Sequence, residues 1–416
     1  MDTTPAPENP GPRSADARPL GPGVVSDFTP DERARGRALR RAQLPWALGG
    51  RLAGLALTLL LGLTPAGAAL VTATGDWFGG SRTAGVLAGA AALLLLGQAL
   101  QLPFGAGVRT VRARFGLVTQ GWAGWALDAV RGLALALVLV LPLALGLFAL
   151  TAWSPQRWWL PAAGAAALLT VALSFLHPLL IEPVFNRFSP MPPGELRTAL
   201  LALAERDGVR VRDVLVADAS RRTTALNAYV SGFGATRRIV AYDTLLTTAE
   251  PREVELVVAH ELGHVKHRDV PVGTALGAGG AAVAVAVLGV LGAWRPLLDA
   301  AGATDAADPR ALPLLAALAA LLGAVSGPLQ CAVSRRIEAR ADRHALELTG
   351  DVEQFVAMQH RLAVANVSDV DPPRVLELLF ATHPSATSRI AAARAWQAAP
   401  GRPAPERRAT PGESVV

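Results

Sequence analysis

The chain has 416 residues, with 39 Lys+Arg against 33 Asp+Glu for a net charge of +6, and it is 51% hydrophobic but only 17% charged. Soluble domains carry about 25% charge, so this balance, with a mean hydropathy of +0.35, excludes a purely soluble fold and a largely disordered chain. The single cysteine, Cys331, excludes a disulfide scaffold.

In chain order, residues 1–45 read as a disordered tail, rich in Pro, Gly and Ala over the first 30. The first apolar run begins after Arg51, too late for a cleaved signal peptide. Crossing a bilayer as helix takes about 20 apolar residues. Six stretches qualify: 52–71, 83–102, 133–153, 159–181, 272–294 and 311–333. Trp153, Trp158, Trp159 and Trp294 stand at their ends, where interfacial aromatics belong. Arg33, Arg35, Arg37, Arg40 and Arg41 precede the first stretch, and Arg109, Arg112, Arg114 and Arg131 lie between the second and third. The alternate loops carry few basic residues. The positive-inside rule therefore places both termini and residues 182–269 in the cytoplasm of a multi-pass cell-membrane protein, with the lipid bilayer as a partner. The pI of 10.6 is then a topological signal. No basic stripe interleaved with aromatics points to nucleic acid. The chain divides into the N-terminal tail, a four-span region (46–181), a cytoplasmic portion (182–270), a two-span region (271–333), cytoplasmic helices (334–398) and a second disordered tail (399–416).

The cytoplasmic portion reads as ordinary α+β protein. Leu196, Leu200, Leu201 and Leu203 have helical spacing, while 211–216 and 238–241 read as short β-branched strands. The strand at 238–241 is expected to offer an exposed edge that could pair with an extended peptide. A helix starts near Pro251, with Thr247 or Thr248 as its cap. It runs into His260-Glu261-Leu262-Gly263-His264. Histidines at i and i+4 share a helix face, so two imidazoles can converge on one zinc ion. Glu261 is placed to act as general base on a water activated by that metal. The plain alternative is a helix with two surface histidines.

Two histidines leave a catalytic zinc one protein ligand short. Just beyond the sixth apolar stretch, Glu338 and Asp342 are again i and i+4 on one helix face. Glu338 can complete the metal set, and Asp342 can accept the second ring N–H of a zinc histidine. A surface pair among arginines is the alternative reading. His267, three residues after His264, could be a fourth ligand, but that would close the site, so an exposed or supporting role is expected.

These segments together resemble the type I CAAX prenyl endopeptidase family, membrane-embedded gluzincin metallopeptidases, over residues 175–398. The resemblance also rests on Ile181-Glu182-Pro183-Val184-Phe185-Asn186-Arg187-Phe188, on Asn227-Ala228-Tyr229 through Arg238-Ile239-Val240-Ala241-Tyr242-Asp243-Thr244-Leu245-Leu246, and on Thr382-His383-Pro384-Ser385 with Arg389. Phe115-Gly116-Leu117 with Thr119 is a weaker match. It implies a mainly α, multi-pass helical protein enclosing a chamber, with a small cytoplasmic α+β metalloprotease portion and one Zn2+ per chain. It also implies an endopeptidase acting on membrane-associated or C-terminal, CAAX-like protein substrates, lipidated or not. By the same resemblance His260, His264 and Glu338 are the metal ligands and Glu261 the base. Asn227 holds the substrate backbone and His383 donates to the oxyanion. From their local context alone, Asn227 reads equally as a turn residue and His383 as a structural helix-start residue. The family's eukaryotic members have seven spans, and six are read here. Competing readings are an HtpX-like quality-control protease, which has fewer spans, and a catalytically silent membrane scaffold.

Overall fold

A computed structural model describes residues 27–399. Helix α1 (Pro30–Gly62) begins where Thr29 and Glu32 exchange capping hydrogen bonds and Pro30 occupies the first turn. Residues 30–45, expected in the tail, are therefore helical, and only residues 1–26 of that expectation lie outside the described residues. The expected span 52–71 is also redrawn. Helix α1 stops at Gly62, and a short α2 (Pro65–Asp76) restarts under a Thr64 cap with Pro65 in its first turn. Helices α3 (Arg82–Arg114), α4 (Trp122–Trp153) and α5 (Trp159–Leu176) follow, and α5 runs through a π-helical turn, His177–Ile181, into α6 (Glu182–Phe185).

Then come β1 (Phe188–Pro190), α7 (Glu195–Arg206), β2 (Asp213–Ala217), β3 (Ala228–Ser231), β4 (Arg238–Tyr242), α8 (Asp243–Thr248) and α9 (Pro251–Lys266). The sheet order is β1-β2-β4-β3, with β2 and β4 parallel and the outer pairs antiparallel. The strand at 238–241 therefore has no free edge, because β4 is paired on both sides. The open edge nearest the His-Glu-x-x-His helix is β3. Strand order depends on contacts across the chain, which local hydropathy does not encode. Leu200, Val214, Ile239, Leu245, Val258 and Leu262 form the core between sheet, α7 and α9. The α9 cap is Glu250, paired with Glu253, rather than Thr247 or Thr248.

Helix α10 (Asp269–Leu291) packs along α5, α11 (Arg295–Ala301) turns the chain, and α12 (Leu312–Thr349) returns. The boundary expected between 333 and 334 falls inside α12, which passes without a break from its apolar half to Glu338 and Asp342. Helices α13 (Val352–Ala365), α14 (Arg374–Phe380) and α15 (Ala386–Gln397) complete the described chain. Among the described residues, six helical segments are long and apolar enough to cross a membrane; α2, at 12 residues, is too short to span.

The polar start of α1 docks on the C-terminal helices. Phe28 is 2% exposed and stacks on His360, and Arg40 pairs with Asp369. Gly36 lies so close to the 366–371 turn that a Cβ there would fall 2.2 Å from the Ser368 carbonyl oxygen. Gly36→Ala should accordingly cost about 1–3 kcal/mol, the usual range for overpacking, and lower Tm in detergent. Gly97→Ala, which meets nothing within 4 Å, should leave Tm unchanged. Equal Tm values for the two variants would disprove the tight docking of α1.

Candidate metal centre

Helix α9 turns Val254, Val258 and Leu262 into the core, which leaves His260 and His264 on the face toward α12. The approach of α12 depends on Gly263, because a Cβ there would lie 3.2 Å from the Ala341 Cα and 3.1 Å from the His344 Cβ. Glu338 thereby reaches both imidazoles. Its Oε2 lies 3.2 Å from His260 Nε2 and its Oε1 3.6 Å from His264 Nε2. Both His260 and Glu338 are only 7% exposed. Glu261 offers a carboxylate oxygen within 4.8 Å of the ligand atoms of the two histidines.

The other ring nitrogens decide how the cluster is used. His260 Nδ1 is 2.9 Å from Asp342 Oδ1, and His264 Nδ1 is 2.9 Å from Asp269 Oδ2. A neutral imidazole that donates its Nδ1 hydrogen to a carboxylate presents a bare lone pair at Nε2. The two Nε2 atoms and the Glu338 carboxylate then face one another lone pair to lone pair, and Glu338 Oε2 is buried without a hydrogen-bond partner. Such a convergence is repulsive unless a cation sits in it. Ligand atoms around a tetrahedral zinc with bonds of about 2.0–2.1 Å lie roughly 3.3 Å apart, so the observed spacings suit one. Two histidines and one carboxylate also leave a fourth position open. Burial lowers the His260 pKa, but Asp342 and Glu338 outweigh it and hold it at about 9. Burial raises the Glu261 carboxyl against the pull of His260 and His264.

Each supporting carboxylate is itself held by an arginine. Arg389 Nε donates to Asp342 Oδ2 at 2.8 Å and its Nη2 to Oδ1, while Arg340 pairs with Asp269 Oδ1. Asp269 and the clamping role of the two arginines were invisible in the sequence. Arg268 adopts a left-handed conformation (φ 57°) and folds Asp269 back onto His264. His267 takes no part. Its ring packs edge-on against His344, which faces Asp207 at 3.2 Å.

His383 lies between α14 and α15, ahead of Pro384 and the α15 cap Ser385, with its Nε2 3.3 Å from Glu338 Oε2. Burial lowers its pKa. Asn227 precedes β3 and accepts from the Tyr242 N–H through its carbonyl at 3.0 Å. Asn227, His260, Glu261, His383 and Arg389 line one cavity of 420 Å³. All seven residues expected at the site thus come together around the α9–α12 contact. Partners that orient metal histidines are typically worth about 10–100-fold in metal affinity. Asp269→Ala and Asp342→Ala should each weaken zinc binding by that factor in a chelator competition, and wild-type affinity in both would show that these carboxylates do not orient the rings.

Residues 190–397 match the model of peptidase family M48, and residues 22–187 match that of the CAAX prenyl protease N-terminal region, five membrane helices. The uncharacterized metalloprotease YhfN of Bacillus subtilis is 33% identical over 69% of this chain and 68% of its own. The CAAX prenyl protease 1 homolog of Arabidopsis thaliana is 40% identical over 24% of each chain, and CAAX prenyl protease 1 of Saccharomyces cerevisiae is 41% identical over 21% of this chain and 19% of its own. These last two alignments span well under two thirds of the relatives' lengths. The crystal structure of S. mikatae Ste24p superposes with a TM-score of 0.80 over 90% of this chain and 91% of that one, at 20% identity, so the fold is shared. The chain belongs to peptidase family M48 and is a multi-pass membrane metalloprotease.

Proposed function

We propose that the chain is a zinc endopeptidase that hydrolyses peptide bonds of membrane-associated or C-terminal, CAAX-like substrates, lipidated or not, at the cytoplasmic face of the cell membrane. The observation that carries this reading is the convergence of His260, His264 and Glu338, with Glu261 beside them, at the edge of a cavity that His260 and Glu261 line together with Asn227 and His383. The names of the plant and yeast relatives supply the substrate class. The arginines before α1's apolar half and at the end of α3 supply the orientation.

In this mechanism His260, His264 and Glu338 hold the metal. Bound there, zinc supplies Lewis acidity and lowers the pKa of water toward ~7. Glu261 takes the proton of the attacking water and returns it to the leaving amine. His383, which lines the same cavity 3.3 Å from Glu338 Oε2, donates to the oxygen of the scissile carbonyl as charge develops on it. Asn227 and the open edge of β3 hold the substrate backbone in extended form. Asp342 and Asp269, clamped by Arg389 and Arg340, fix the imidazole rings so that none of these groups must reorganise during the reaction.

Glu261→Gln should leave zinc content intact and reduce hydrolysis of a farnesylated C-terminal peptide by ~10²–10⁴, the range for losing a general base. Loss of zinc from the variant would reassign Glu261 as a ligand. The same peptide without its farnesyl group tests the lipid preference, and equal kcat/KM for the two would remove lipidation from the substrate description.

His383→Ala should lower kcat by ~10²–10³ with KM little changed, as at other oxyanion sites. A variant with wild-type kcat would leave His383 a purely structural role.

A further inference from the structure

The segment that carries Asn227 to the cavity, residues 218–227 between β2 and β3, contains only one short 3-10 turn, Ala219–Arg221. A coil with so little backbone pairing of its own must be held by others. The Ser220 N–H donates to Asp243 Oδ1 at 2.8 Å, and the Arg222 guanidinium donates to both carboxylate oxygens of Asp128 on α4 at 2.9 and 3.1 Å. Thr223 and Thr224 hydroxyls donate to the Leu117 and Gly116 carbonyls, each at 2.9 Å. These contacts absorb the Phe115-Gly116-Leu117 segment, which the metal chemistry does not use.

The last residue before Asn227 is Leu226, only 4% exposed, so its backbone groups need partners inside the protein. Asn366 provides both. Its Oδ1 accepts from the Leu226 N–H at 2.9 Å, and its Nδ2 donates to the Leu226 carbonyl at 3.3 Å, across 140 residues of sequence. A carboxamide offers a donor and an acceptor side by side, as a neighbouring strand would. Here it replaces the neighbour that β3 lacks before its ladder begins at Ala228. Asn366 also lines the same cavity as Asn227, His260 and His383.

Asn366 is itself anchored. Its N–H donates to the Leu362 carbonyl at the end of α13, and Val367 then turns left-handed (φ 50°). The Ser368 N–H donates to the Ala363 carbonyl at 2.8 Å. Gly36 packs on Ser368, and Arg40 pairs with Asp369. Helix α1 therefore backs the turn that presents the carboxamide.

We infer that Asn366 is a positioning residue, which sets the height of Asn227 and of the first β3 residues over the metal cluster. Its consequence for turnover rests on the endopeptidase reading above, whereas its consequence for β3 does not. The test uses the full chain in detergent micelles, with Asn366→Ala and Asn366→Asp compared by amide hydrogen exchange, zinc content and hydrolysis of the farnesylated peptide. In Asn366→Ala, exchange at residues 226–229 should rise roughly tenfold, as the loss of one or two hydrogen bonds allows. The central strand β4 should keep its protection, and zinc content should stay at the wild-type level. KM should rise roughly five- to tenfold with kcat within about a factor of two, the pattern of lost uniform binding. Asn366→Asp keeps the acceptor for the Leu226 N–H and should fall between wild type and Asn366→Ala. If Asn366→Ala does not fold, Asn366→Asp decides by the same comparison. Unchanged exchange at 226–229 would overturn the inference, as would zinc loss or a fall in kcat at constant KM. A wild-type chain that cleaves no peptide would sink the endopeptidase reading, while the exchange result still decides the role of Asn366.

Discussion

Much of the described structure serves to hold three electron-rich atoms at separations they would not adopt by themselves. His260 Nε2, His264 Nε2 and the Glu338 carboxylate meet at 3.2 and 3.6 Å in a largely buried spot. Burying such a set without a compensating cation is costly. The surrounding architecture supplies the constraint. Gly263 admits α12, the α9 core face anchors one wall, and the two aspartate–arginine pairs stop the rings from turning away. The guanidinium groups of Arg389 and Arg340 are paired with Asp342 and Asp269.

Helix α12 is the element that ties this constraint to the membrane. Its apolar N-terminal half packs between α1, α3 and α10, and its polar C-terminal half carries Glu338 and Asp342 onto α9. Because one continuous helix does both, the depth of α12 in the bilayer and the position of the third ligand cannot be set independently. The coil before β3 adds a second link of the same kind, through Arg222 and Asp128 on α4.

The legible parts of the chain were those whose chemistry is local. His260 and His264, and likewise Glu338 and Asp342, fall four residues apart on helices, so their shared faces follow from the helical period alone. The six apolar stretches follow from length and composition in the same way. What stayed hidden depended on tertiary placement. Asp269 reaches His264 only because Arg268 turns left-handed, and Asn366 reaches Leu226 only because α13 ends beside β3. The buried position of β4 likewise depends on strand order. One signal was available and unused: Thr29-Pro30-Asp31-Glu32 is a capping box with a first-turn proline. It marks the true start of α1 in a stretch whose charge and prolines otherwise read as tail.

The docking of α1 also has a temporal consequence. Phe28 and Arg40 are among the earliest described residues to leave the ribosome, yet their partners, His360 and Asp369, are among the last. During synthesis, at about 5–20 residues per second, the polar end of α1 must wait tens of seconds for the surface it will cover. Once α13 and the 366–371 turn emerge, the same end closes over them. The latch on the finished fold therefore closes only when synthesis is nearly complete.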